Sequence, residues 1–278
     1  MAILEKTGAT LKSSAKILLQ SRPGGWGRRG SDPTTVYVLG NGPSLREALA
    51  AHAPELAGVK TLAVNFALNS PQIKDLQPKI YVLADPHFFT GKGADPKVCE
   101  LWDNIAQVFW PMRLYVPATE VRRARELLDE NKSVKVKAFN AVGIEGFAAF
   151  ERAAYAFGLG MPRPRNVLIP SIMIAIREGA RKVVLLGADH SWMRTLAVSD
   201  DNEVVSIQEH FYKDDARELR RVRSEYGNYR LHQIVESFAV AFRAYHRIAS
   251  FAHKTGVDIV NATPGSFIDA FRREPLSF

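Results

Sequence analysis

The 278-residue sequence has a single cysteine, Cys99. It can form neither an intramolecular disulfide nor a cysteine metal site, so a reducing cytoplasm is the simplest compartment. No run approaches the roughly 18 consecutive apolar residues that span a bilayer. The first residues lack the continuous apolar core of about 7–15 residues that marks a secretory leader. Familiar catalytic and nucleotide motifs are missing as well. No Gly-Lys-Ser or Gly-Lys-Thr follows Gly40, leucine (Leu45) stands where a dinucleotide fingerprint needs its third glycine, and no Gly-x-Ser-x-Gly occurs. These absences exclude Walker-type phosphate loops, the common dinucleotide enzymes and nucleophile-elbow hydrolases. No reader motif for nucleic acid is present, and no internal repeat.

What is present is a globular composition, 46% hydrophobic and 24% charged, long enough for one α/β domain with a small addition. The formal net charge of +8 favours an anionic partner. Part of the excess lies at the start, where Lys6, Lys12, Lys16, Arg22, Arg28 and Arg29 face Glu5 alone. Leu4, Leu11, Ala15, Leu18 and Leu19 share helical spacing there, which predicts a short basic amphipathic helix. It suits either an anionic membrane surface or packing on its own domain or a partner subunit, including a second copy. The Gly-, Pro- and Arg-rich run 22–33 reads as a linker, so residues 1–34 are expected to precede a domain spanning 35–278.

The stretch that organises this domain is Thr35-Val36-Tyr37-Val38-Leu39-Gly40-Asn41-Gly42-Pro43-Ser44-Leu45. A β-branched run breaks at Gly40, and Ser44 with Glu47 three residues later predicts a capping box opening a helix. Backbone N–H groups at Gly40 to Ser44 would then converge where a phosphate or other anion could sit. An ordinary strand-to-helix turn explains the same residues equally well.

Further strands are expected at 60–65, 80–85, 108–116, 134–139, 182–189 and 257–261. Helices are expected over 120–130, 144–157, 168–180 and 231–254. Strands alternating with helices predict an α/β fold with a Rossmann-like, mostly parallel sheet and helices on both faces. Asn65, Asp85 and Asp189 end their strands, at the carboxyl edge where open α/β sheets bind ligands. The polar run from Met193 predicts a lid over about 193–228. Asp85-Pro86-His87 and Asp189-His190 lack the spacing of a metal tetrad, so no metal site is assigned. His52, His246 and His253 sit in ordinary helical sequence, which leaves His87, His190, His210 and His232 as candidates for a general base.

Gly40-Asn41-Gly42-Pro43-Ser44-Leu45, Asn65, Gly187-Ala188-Asp189 and Pro264-Gly265-Ser266, each after a strand, resemble the bacterial sialyltransferases of glycosyltransferase family 42. The same residues resemble the related flagellin-glycosylation motility factors and the archaeal 6-hydroxymethylpterin diphosphokinases. The similarity covers most of residues 35–275. It implies a metal-independent glycosyltransferase that needs no cofactor beyond a CMP-sugar donor and acts on a cell-surface glycan or lipopolysaccharide acceptor.

By that resemblance Asn41 and Gly42 meet the donor's phosphate and ribose, Asn65 its phosphate or sugar, and Arg165 and Asn166 its carboxylate and phosphate. Asp189 would serve the ribose or base, Thr263, Pro264, Gly265 and Ser266 would close over the cytosine, and Tyr212 would steady the leaving phosphate. His232 matches the family's catalytic base, with His210 the second candidate. The alternatives are an ATP-dependent diphosphokinase, which would need Mg2+ on Asp85, Asp189 and the Asp200-Asp201 pair, and a noncatalytic protein that binds an anionic partner.

Overall fold

Residues Thr35–Leu39 form strand β1 near the middle of an eight-stranded, wholly parallel sheet. The computed structural model describes residues 3–22, 34–91, 93–128, 131–205 and 229–278. The other strands of the sheet are β2 (Thr61–Val64), β3 (Ile80–Val82), β4 (Met112–Pro117), β5 (Val134–Phe139), β6 (Lys182–Leu186), β9 (Asp258–Asn261) and β10 (Arg272–Arg273). They run in the order β10-β9-β6-β1-β2-β3-β4-β5. The chain therefore builds outward from β1 to β5, returns to lay β6 against the other side of β1, and continues outward to β10. That reversal between β1 and β6 is a topological switch point, where the loops after the two strands part and leave a crevice. A two-stranded antiparallel pair, β7 (Ala197–Val198) with β8 (Val204–Val205), stands apart from the sheet.

The alternation of side chains along each strand supplies both layers of the core. Val36, Val38, Leu62, Val64, Val183 and Leu185 pack on one side with α7 (Ala148–Ala156), α8 (Leu168–Arg177) and α9 (Leu231–Thr255). Tyr37, Leu39, Ala63, Tyr81, Val184 and Leu186 pack on the other with α2 (Ser44–Ala57), α3 (Pro71–Leu76) and α5 (Pro96–Ala106). This is the expected α/β fold with helices on both faces. Two short helices, α4 (His87–Thr90) and α6 (Val121–Leu127), complete the set with α1 (Ile3–Gln20). Among the described residues no helix is long and apolar enough to cross a membrane.

Some local expectations give way to side-chain chemistry. Val108-Phe109-Trp110 is not a strand. The Val108 N–H donates to Ile105 O (3.2 Å) and the Val108 carbonyl accepts from the Asn131 side-chain amide (2.9 Å), so Val108 bonds outside any ladder, and the Trp110 indole N–H anchors the segment by donating to Pro78 O (3.0 Å). The helix expected from Ile144 begins at Ala148, because α1 docks on the residues before it. Ser13 Oγ donates to Glu145 O (2.7 Å) and accepts from Glu145 N (2.9 Å), and Thr10 Oγ1 accepts from Phe147 N (3.1 Å). A Cβ on Gly146 would lie 2.2 Å from Thr10 Oγ1, so a larger residue would push α1 away. At the far end Ser21 Oγ donates to Leu159 O, and Arg22 N donates to Asn140 Oδ1 (2.9 Å). Helix α1 thus lies antiparallel along residues 140–147, with Ile17 packed on the core.

Candidate functional site

A cavity of about 670 Å3 opens at the carboxyl edge of the sheet, at the switch point between β1 and β6. Asn41 and Gly42 enter it from the turn after β1, Asn65 from the end of β2, Asp85 from the end of β3, Arg165 and Asn166 from the approach to α8, and Asp189 and His190 from the turn after β6. Eight of the residues singled out in the sequence therefore converge from five segments.

The turn after β1 is built differently from the expected anion cradle. Gly40 N donates to Leu186 O (2.7 Å) and Gly42 N to Gly187 O (2.8 Å), which fastens it to the turn after β6. Ser44 does not cap its own helix. Its hydroxyl donates to Asp189 Oδ2 (2.7 Å) and its N–H to Asp189 Oδ1 (3.3 Å), so the carboxylate of Asp189 occupies the N-terminus of α2. A Cβ on Gly42 would sit 1.9 Å from Asp189 Oδ2, which explains the need for glycine there. The donors of Gly40, Gly42 and Ser44 are engaged within the protein, and the expected capping box is replaced by a contact from β6. Burial raises the Asp189 carboxyl above the ordinary carboxylate range, against the lowering effect of its hydrogen bonds from Ser44.

What faces the cavity instead is a set of side chains. Asn41 Oδ1 is buried without a hydrogen-bond partner among the described residues, and so is Asn166 Nδ2. Asn166 Oδ1 accepts from the N–H groups of Leu168 (3.0 Å) and Ile169 (3.4 Å), which fixes the amide at the start of α8 and leaves its NH2 as the unengaged end. The exposed guanidinium groups of Arg165 and Arg194 have no carboxylate partner among the described residues, and Arg194 lies over the Phe267 ring at 4.8 Å. Asn65 holds a left-handed conformation (φ 52°), with its carbonyl accepting from Tyr81 Oη (2.5 Å). Asp85 Oδ1 accepts from His87 N (2.8 Å) at the start of α4.

Beneath the cavity runs a buried relay that sequence reasoning did not assemble. Tyr245 Oη donates to Asn166 Oδ1 (2.9 Å) and lies 2.5 Å from His190 Nε2. With its only proton given to Asn166, the phenol must accept from His190, which fixes the Nε2–H tautomer and leaves Nδ1 as the acceptor nitrogen. Burial alone lowers the His190 imidazolium to a pKa of about 3, so the ring is neutral. Its ring also lies against Trp192, tilted by 34° with the centroids 4.1 Å apart, and Trp192 lines the cavity. His190 was one of four equivalent histidines in the sequence, and Tyr245 reads there as one more core position of an amphipathic helix.

The remaining expected residues lie elsewhere. Thr263 Oγ1 accepts from Ala188 N (3.0 Å) and Ser266 Oγ donates to Ala188 O (2.6 Å), so both brace the turn after β6 from below rather than line the cavity. Pro264 and Gly265 are exposed. His232 is exposed on the first turn of α9, two residues before Ile234, which packs in the same cluster as Trp192. His210 and Tyr212 lie outside the described residues, as does most of the expected lid. His87 pairs with Asp95 (2.8 Å) and does not line the cavity. Among the described residues no three His, Cys, Asp or Glu side chains gather in a metal-binding group.

No protein-family model and no curated protein matches the chain. Among solved structures, the MAf glycosyltransferase from Magnetospirillum magneticum AMB-1 is similar, with a TM-score of 0.50 at 12% identity. The similarity covers 99% of this chain and 38% of that one, so the chain spans well under half of that protein's length. At this identity the likeness is one of fold.

Proposed function

We propose that the protein is a glycosyltransferase that transfers a sugar from a nucleotide-activated donor, with a CMP-linked acidic sugar of the sialic acid kind as donor and a cell-surface glycan or lipopolysaccharide as acceptor. The observation that carries this reading is the pair of arginines, Arg165 and Arg194, which have no carboxylate partner among the described residues, at a switch-point cavity that also presents the amide ends of Asn41 and Asn166 left unengaged among those residues. Transfer breaks the bond from the anomeric carbon to phosphate and forms one to an acceptor hydroxyl, so negative charge grows on the departing CMP while the hydroxyl loses its proton. Guanidinium groups meet phosphate and carboxylate oxygens with paired N–H donors, and they can hold that charge without a metal ion. A base takes the hydroxyl proton, a role assigned here to His232. The fold shared with a solved glycosyltransferase agrees with this reading.

A magnesium-dependent diphosphokinase is less well supported. Asp189 is held by Ser44 and Asp85 by His87 N, while Asp200 and Asp201 do not line the cavity.

Replacing Asn41 by alanine tests the cavity directly. Its Oδ1 has no partner among the described residues, so its loss should leave stability unchanged. A lost hydrogen bond to a charged phosphate or its ribose weakens affinity by about tenfold to hundredfold. Calorimetric titration with CMP should show that loss, and an affinity within about twofold of wild type would remove Asn41 from the ligand's contacts.

A further inference from the structure

Helix α1 is packed with its polarity reversed. Its inward face is Thr10, Ser13 and Ile17, held by side-chain hydrogen bonds to residues 145–147, while its leucines point out. Ile3, Leu4, Leu11, Leu18 and Leu19 are 76, 85, 67, 84 and 83% exposed. At about 100° per residue Leu4, Leu11 and Leu18 fall on one line, and Lys12 and Lys16 lie to one side of it, about 100° and about 140° round the helix from Leu11. A soluble helix that only needed to cover its domain would bury this stripe.

The surface continues past the helix. Arg22, two residues beyond its end, lines a shallow groove of about 620 Å3 together with Arg122 and Arg125. Glu126 engages Arg122 (3.0 Å) and Arg123 (3.4 Å), which leaves the exposed guanidinium groups of Arg22 and Arg125 with no carboxylate partner among the described residues. We infer that the leucine face of α1 and this arginine groove form one docking surface for an anionic phospholipid bilayer. The leucines enter the headgroup–acyl boundary, Lys12 and Lys16 reach up from one side of the helix, and the arginines take lipid phosphates. A second copy is a poorer occupant, because pairing two such surfaces would set like-charged lysines and arginines against one another.

Docking there bears on the site. Glu145, whose backbone holds Ser13, binds Arg163 (2.7 Å) and Arg247 (2.6 Å), and Arg163 directly precedes Pro164 on the cavity wall. The element facing the bilayer is thus braced to the segment that carries Arg165.

The test is cosedimentation of the full chain with vesicles of phosphatidylcholine alone and of phosphatidylcholine mixed with phosphatidylglycerol. Binding should be about tenfold or more tighter to the anionic vesicles and should weaken with salt. A Leu11→Glu, Leu18→Glu variant, altered only at exposed positions, should keep its circular dichroism and melting temperature and lose most of the binding. An Arg22→Glu, Arg125→Glu variant should bind about tenfold more weakly and with a flatter salt dependence. Equal binding to both vesicle types, or unchanged binding by either variant, overturns the inference. So does a wild-type dimer that ignores vesicles and becomes monomeric with Leu11→Glu, Leu18→Glu, since a second copy would then cover the face.

Discussion

His232→Ala is expected to lose about 10²- to 10⁴-fold in transfer rate, the usual contribution of a general base, while nucleotide affinity stays within about twofold. The histidine that does line the cavity is unsuited to the task. His190 is neutral with a pKa of about 3, roughly four units below a working pH near neutrality, so it is a weak proton acceptor, and its Nε2–H is committed to Tyr245. His232 sits instead at the accessible start of α9, a 25-residue helix anchored in the core by Phe238, Tyr245 and Ile248. A base on such a platform holds its distance to the acceptor hydroxyl. His210→Ala, in the expected lid, should alter donor or acceptor affinity more than turnover. Single-turnover rates with a CMP-sugar donor separate the cases. Full turnover by His232→Ala alongside a dead His210→Ala would move the base to the lid.

The second large effect is on stability. The His190 imidazole falls from an ordinary value near 6.5 to about 3 on folding, through burial among Trp192, Phe242 and Tyr245. Between those values the unfolded chain binds a proton that the folded protein refuses. The associated stability is complete above about pH 6.5 and is lost as pH falls toward 3, with a limiting slope of about 1.4 kcal/mol per pH unit. Asp189 has the opposite sign because its carboxyl is raised, whereas Glu145 and Asp95 are lowered and add to the loss in acid. His190→Asn isolates the imidazole, since asparagine accepts the left-handed backbone at this position (φ 52°). Urea unfolding at several pH values between 7 and 5 should give a steeper decline for wild type than for the variant. Parallel curves would mean that the folded imidazole titrates near its ordinary value.

The strands were legible in the sequence because β1, β2, β3 and β6 are buried on both faces and so read as short apolar runs that end abruptly. Their terminal polar residues were legible for the same reason. Asn65, Asp85 and Asp189 stop apolar strands, and the parallel sheet carries all three to one edge. What closes the turn after β1 was not legible. Ser44 and Glu47 form a valid capping pattern, but Asp189, 145 residues later, offers Ser44 a charged acceptor that only the fold brings near. Tyr245 was hidden in the same way, its partners Asn166 and His190 lying 79 and 55 residues distant. Helix α1 shows a different limit. Periodicity identified its leucine stripe, but the hydrogen bonds of Ser13 and Thr10 decided which face would turn inward.

The central claim, that the switch-point cavity binds the nucleotide of an activated sugar through Arg165 and Arg194, is tested most directly by ligand-dependent thermal stabilisation. The full chain and an Arg165→Ala variant would be melted with CMP, UDP and ADP, each with and without magnesium. Arg165 is exposed, so the variant should melt as wild type does in the absence of ligand. At a nucleotide concentration about a hundredfold above its dissociation constant, binding adds about 2.7 kcal/mol, a shift of several degrees. The account predicts that CMP stabilises wild type without magnesium and that Arg165→Ala loses most of the shift. Stabilisation by ADP only in the presence of magnesium, or by no nucleotide at all, would contradict it.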